Sequence, residues 1–175
     1  MRCFLAIDLP EDARAAAEHW IRGQKRDIRD VRWSVPSQLH ITLQFLGELD
    51  AAQVEAVRVA IAEVAGRTAP FLLRLGAVGA FPGPRAPRVV WIGVEDPAGC
   101  CAAFIRETTP AIRTLGIRTD ERPFTPHVTI GRAKGPAGVQ SLARWFAVAA
   151  ARRRDTVDPS TGAGPARRMQ PGMAP

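Results

Sequence analysis

The chain passes twice, in a similar order, from short β-compatible apolar runs to segments whose apolar residues recur at helical spacing. Elements of that kind bury their apolar faces only by layering on one another. Residues 3–7 form an apolar strand, and Pro10-Glu11-Asp12 then places a proline and two acids where a helix N-terminus favours them. Residues 31–35 alternate and residues 39–46 follow as a second strand, with Pro36-Ser37 read as the turn of a hairpin. Asp50 is the expected N-cap of a helix carrying Val54, Val57, Ile61 and Val64, with Gly66 as its stop. Strands follow at 71–75 and 88–94, separated by the Gly/Pro-rich stretch 79–84. Asp96-Pro97 opens a helix that ends near Gly116 and that Pro110 should kink or divide, and residues 124–132 form the last strand. Helical spacing returns at Val139, Leu142 and Phe146 and then stops. The pattern predicts an α+β protein of two related lobes; connection lengths leave parallel and antiparallel pairing both open.

Two of the chain's three histidines sit in matched segments, Leu39-His40-Ile41-Thr42-Leu43 and Pro126-His127-Val128-Thr129-Ile130. Strand side chains alternate faces, so each imidazole shares a side with the hydroxyl two residues on, while Ile41, Leu43, Val128 and Ile130 point into a core. Ten threonines in 175 residues make one such match ordinary and two among three histidines rare. Chemically the pair suits phosphoryl transfer to water. Imidazole serves as a base when neutral and as an acid when charged, so two of them on opposite sides of a phosphorus can activate the nucleophile and protonate the leaving oxygen. Threonine hydroxyls beside them can donate to non-bridging oxygens as charge develops. That chemistry needs neither metal nor cofactor, and the sequence carries no His-Glu-x-x-His, no Cys-x-x-Cys and no Gly-x-Ser-x-Gly.

Composition narrows the partners. With 46% hydrophobic and 23% charged residues, the chain can build a packed core in one domain or two small lobes. No apolar run approaches the roughly 18 residues of a membrane span. The opening MRCFLAIDLP, broken by Asp8, is too short for a signal peptide. Cys3, Cys100 and Cys101 form neither zinc spacing nor an even disulfide framework, which fits a reducing cytoplasm. A formal charge of +7 attracts polyanions such as RNA. Part of that excess sits in the tail, where five arginines face only Asp155 and Asp158.

At these residues the chain resembles the 2H phosphoesterase superfamily, and within it the RNA 2′,3′-cyclic phosphodiesterase family, historically called 2′-5′ RNA ligase. The resemblance runs over about residues 1–150 and rests on MRCFLAIDLP, LHITLQFLGELD, GAVGAFPGPRAPRVVWIGV and ERPFTPHVTIGRAKG. It implies two pseudo-symmetric lobes with antiparallel sheets flanking a central cleft, helices outside, and one His-x-Thr from each lobe in the cleft. It further implies hydrolysis of a 2′,3′-cyclic phosphate to a 2′-phosphomonoester; the expected partner is RNA with such an end, tRNA fragments being one candidate, and the expected state is a monomer. In that scheme His40 is the acid that protonates the leaving 3′ oxygen and His127 the base that activates water. Thr42 and Thr129 hold phosphate oxygens, and Arg132 matches a family position that contacts phosphate. Phe45 matches a family aromatic near the nucleobase, although strict alternation from His40 assigns it to the core. Alternatives are an RNA-end binding module with impaired catalysis, a relative acting on another cyclic nucleotide, and 2′-5′ ligation. The departure from the family lies at the C-terminus: residues 151–175 read as a disordered basic tail in place of the usual final strands, in a chain without tyrosine, leaving a sheet edge uncovered.

Overall fold

The computed structural model describes residues 1–120, 122–155, 167–169 and 172–174. Strand β1 (Arg2–Asp8) leads into helix α1 (Glu11–Gln24), then β2 (Val31–Trp33), a 3-10 turn (Pro36–Gln38) and β3 (His40–Glu48). Helix α2 (Ala51–Arg67), strands β4 (Phe71–Phe81) and β5 (Val89–Glu95), helix α3 (Cys100–Thr114), β6 (His127–Ala133) and α4 (Gly135–Asp155) follow. Two short strands, β7 (Arg167–Met169) and β8 (Gly172–Ala174), end the described chain.

All strand pairings are antiparallel, in the order β7-β4-β5-β6-β3-β1-β8, with β2 paired to β6 as well. The fold is α+β, with two lobes that meet at β3 and β6. The first holds β8, β1 and β3 over α2 and α3; the second holds β6, β5, β4, β7 and β2 over α1 and α4. Each lobe draws on both halves of the chain, so neither half forms a lobe by itself.

Local sequence explains the helices. Asp50 caps α2 by accepting from the Gln53 amide at 2.8 Å, while the Gln53 side chain accepts from the Asp50 amide at 3.1 Å. Val57, Ile61 and Val64 bury one face, each worth about 1.5–3 kcal/mol relative to exposure. In α1 the buried stripe is Ala13, Ala17 and Ile21, and the two alanines let the helix close on its neighbours. Trp20 of α1 meets Trp145 of α4 edge to face at 5.6 Å, and Trp145 donates to Gln24 at 2.9 Å.

Several expectations are corrected. The 31–35 and 39–46 strands do not form a hairpin, because the 3-10 turn between extended Val35 and Leu39 carries the chain onward instead of reversing it. β2 and β3 therefore line up along successive stretches of β6. Gly66 lies inside α2, which runs to Arg67 and ends on Thr68, whose hydroxyl donates to the Val64 carbonyl at 2.7 Å. Residues 79–81, expected in a loop, complete β4 by pairing with β5. Pro110 does not divide α3. Its missing N–H costs one hydrogen bond, and the buried face of Cys101, Phe104, Thr108 and Ile112 holds the turns on either side.

Of the tail expected to be disordered, residues 151–155 instead continue helix α4, while residues 156–166, 170, 171 and 175 lie outside the described residues. The stretches 167–169 and 172–174 are corrected: they pair with β4 and β1, so each lobe gains a strand where the sequence suggested one uncovered sheet edge. Strand addition at a sheet edge works through backbone hydrogen bonds, which need no apolar periodicity to announce them.

Candidate active site

The lobes join through one partner pair, Ile41 of β3 opposite Val128 of β6, both fully buried. Their neighbours along each strand point the other way, so His40, Thr42, His127 and Thr129 share the face turned from the core, and all four are half-buried. Antiparallel register sets His40 beside Thr129 and Thr42 beside His127. The two histidines are then diagonal neighbours, whose backbones lie roughly 7–8 Å apart in regular pairing.

Each ring is fixed in the same way. His40 Nδ1 lies 2.8 Å from the Gln38 carbonyl oxygen, and His127 Nδ1 lies 2.7 Å from that of Thr125. A carbonyl only accepts, so Nδ1 carries the donated hydrogen in either charge state, and proton exchange falls to Nε2. Aromatic rings brace the imidazoles. Phe4 stacks on His40 at 4.7 Å and 22°, while Phe81 meets His127 edge-on at 5.0 Å and Trp91 lies tilted against it at 5.9 Å. Trp91 has space only because its cross-strand partner is Gly79, where a Cβ would overlap the indole ring.

Both motif strands then break alternation at the same place. Between Ala6 and Leu5 of β1, partners of Thr42 and Gln44, β3 has one extra residue, Leu43; between Trp91 and Val90 of β5, partners of Thr129 and Gly131, β6 has Ile130. The extra residue is in each case the third after the histidine. A β-bulge of this kind returns the fifth residue after the histidine to the histidine's face. In β3 that residue is Phe45, 48% exposed and 6.4 Å from Phe4; in β6 it is Arg132, also exposed. The core position that strict alternation assigned to Phe45 is thereby corrected: Gln44 takes it, buried to 3% and donating to Thr109 of α3 at 3.2 Å.

All six residues picked out in the sequence thus lie on one face. Sequence reasoning missed Phe4, Phe81, Trp91 and Gly79, whose proximity depends on strand register. The available signal was the aromatic character of Phe4 and Trp91 at half-buried positions of otherwise apolar strands. Among the described residues no three His, Cys, Asp or Glu side chains gather as a metal-ligating group, and no helix is long and apolar enough to cross a membrane.

Residues 9–159 match the 2′-5′ RNA ligase superfamily. The chain belongs to that superfamily. Within it, the chain is 33% identical over 143 residues to the RNA 2′,3′-cyclic phosphodiesterase of Methanothermobacter thermautotrophicus, covering 82% of this chain and 77% of the relative. It is 34% identical over 134 residues to the protein of the same name from Archaeoglobus fulgidus, covering 77% and 73%. Among solved structures of similar fold, a Thermus thermophilus protein superposes with a TM-score of 0.69 at 32% identity, over 78% of this chain and 76% of that one. Escherichia coli LigT complexed with 3′-AMP superposes with a TM-score of 0.63 at 26% identity, over 96% and 83%. In this superfamily member the paired His-x-Thr strands lie at the centre of the face that also carries Phe45 and Arg132.

Proposed function

We propose that this chain hydrolyses the 2′,3′-cyclic phosphate ends of RNA, such as tRNA fragments, to 2′-phosphomonoesters by two-histidine acid–base catalysis without a metal. The observation that carries the reading is the Ile41–Val128 register, with both Nδ1 atoms tied to carbonyls and both motifs on one face. Relatives named RNA 2′,3′-cyclic phosphodiesterase support the same substrate class.

Neutral His127 accepts a proton from water through Nε2 as the water oxygen bonds to phosphorus. Charged His40 gives its Nε2 proton to O3′ as the P–O3′ bond breaks, leaving the phosphate on O2′. The enzyme ends with the two protonation states exchanged, and proton exchange with solvent resets it. Thr42 and Thr129 donate to the non-bridging oxygens, and the fixed charge of Arg132 offsets the charge gathering there. Phe45, with Phe4 behind it, offers a surface for the terminal base, a sequence-tolerant source of affinity. The protein acts as a monomer, and its three free cysteines suit a reducing cytoplasm.

The test is phosphorus NMR of a nucleoside 2′,3′-cyclic phosphate incubated with the full chain, with and without EDTA. A 2′-phosphomonoester formed at equal rates in both supports the reading. Binding without turnover favours a non-catalytic RNA-end module, loss in EDTA removes metal independence, and a 3′-phosphomonoester reverses the choice of leaving oxygen.

A further inference from the structure

One charged feature of the same face plays no part in this chemistry. β2 pairs with the far half of β6, with Val31 opposite Ala133, Arg32 opposite Arg132 and Trp33 opposite Gly131. Val31 is buried and Trp33 packs against Trp20, so Arg32 between them projects to the other side, the face to which the Ile130 bulge returns Arg132. Both arginines are exposed, and among the described residues neither forms an ion pair. Like charges directly opposite each other on neighbouring strands are unfavourable, and phosphates bound to each of them relieve that cost. β2 and β3 flank the same side of β6, so Arg32 continues the row begun by Thr42 and His40. The arginine rung lies three residues, about 10 Å, beyond the rung of His40 and Thr129. Arg132 can reach back from that rung toward the reacting phosphate, whereas Arg32 stands one strand further out.

We infer that Arg32 binds the phosphodiester next to the cyclic end, one nucleotide upstream, so that the site favours an RNA chain over a mononucleotide. The inference deepens the proposed function and rests on it for the identity of the first phosphate. Guanidinium suits the task because its charge is fixed and its donors match phosphate oxygens.

The test compares three substrates with the same terminal nucleoside: a nucleoside 2′,3′-cyclic phosphate, a trinucleotide ending in the cyclic phosphate, and that trinucleotide with an uncharged methylphosphonate at the adjacent linkage. Arg32→Ala should lower kcat/KM for the ordinary trinucleotide about tenfold, chiefly through KM, and leave the mononucleotide unchanged. Wild type on the methylphosphonate should match Arg32→Ala on the ordinary trinucleotide, and Arg32→Lys should recover part of the loss. A parallel measurement uses a fluorescent trinucleotide ending in a 3′-phosphate: Arg32→Ala should make the plot of log affinity against log salt shallower by about 0.7. Equal losses on mononucleotide and trinucleotide, no loss on either, or no penalty for the methylphosphonate overturns the inference. Inactivity of the wild type on every substrate defeats the proposed reaction instead, and the binding measurement still decides the role of Arg32.

Discussion

Ile41 and Val128, each with no exposed surface, face one another where β3 meets β6, and their contact fixes which way both motif histidines point. A slip of one residue at this pairing would turn an imidazole into the core and an isoleucine or valine onto the opposite, partly exposed face. Apolar burial thus sets the register of the two motifs, and the polar side chains are presented as its consequence.

The threonines test this presentation without disturbing it. Thr42→Val and Thr129→Val keep the β-branched shape and remove only the hydroxyl. Each should lower kcat on a cyclic phosphate by about 10–100-fold with little change in melting temperature. Steady-state kinetics beside a thermal melt checks this, and unchanged kcat in both variants would remove the hydroxyls from the mechanism.

Gly79→Ala should act at a distance. The new Cβ runs into the Trp91 ring, so the indole must move and the brace on His127 moves with it. A stability loss of about 1–3 kcal/mol is expected from overpacking, together with reduced kcat. Denaturant unfolding and turnover measured on one sample check both. Full activity would mean that Trp91 does not hold the imidazole.

Much of the candidate site's layout was legible in the sequence because its local rules are short. A histidine and threonine two apart must share a strand face, and Asp50 announces a helix start ahead of its buried stripe. What escaped was set by partners distant in the chain. Phe45 and Arg132 share the histidines' face only through the bulges at Leu43 and Ile130, which emerge when β3 is laid against β1 and β6 against β5. The choice of β6 as the partner of β2 is likewise a competition between a near strand and a far one, and the far one wins because the turn at Pro36 does not reverse the chain. The tail strands lack any side-chain pattern that would identify them.

Alkaline pH probes the first lobe separately. Asp96 caps α3 by accepting from the amides of Cys100 and Cys101 at 2.9 and 2.8 Å. Burial, and then the charge and hydrogen bonding of that carboxylate, push the Cys101 thiol from its ordinary 9.0 up to about 12. Above pH 9 the unfolded chain releases this proton while the folded chain keeps it. The stabilising contribution is complete below pH 9 and is lost as pH rises toward 12. Denaturant midpoints should therefore fall over that window in the wild type and fall less in Cys101→Ala. The chain has no tyrosine to add its own titration there. Parallel curves for the two proteins would contradict the buried-thiol account.

The central claim is that two imidazoles on neighbouring strands divide one proton-transfer cycle between them. Its most direct measurement is single-turnover hydrolysis of a nucleoside 2′,3′-cyclic phosphate by wild type, His40→Ala, His127→Ala and the double variant, each checked for native circular dichroism. The account predicts that each single variant loses about 10²–10⁴-fold, and that a substrate with sulfur in place of O3′, whose thiolate leaves without a proton, restores His40→Ala but not His127→Ala. Near-wild-type turnover in either folded single variant would contradict it.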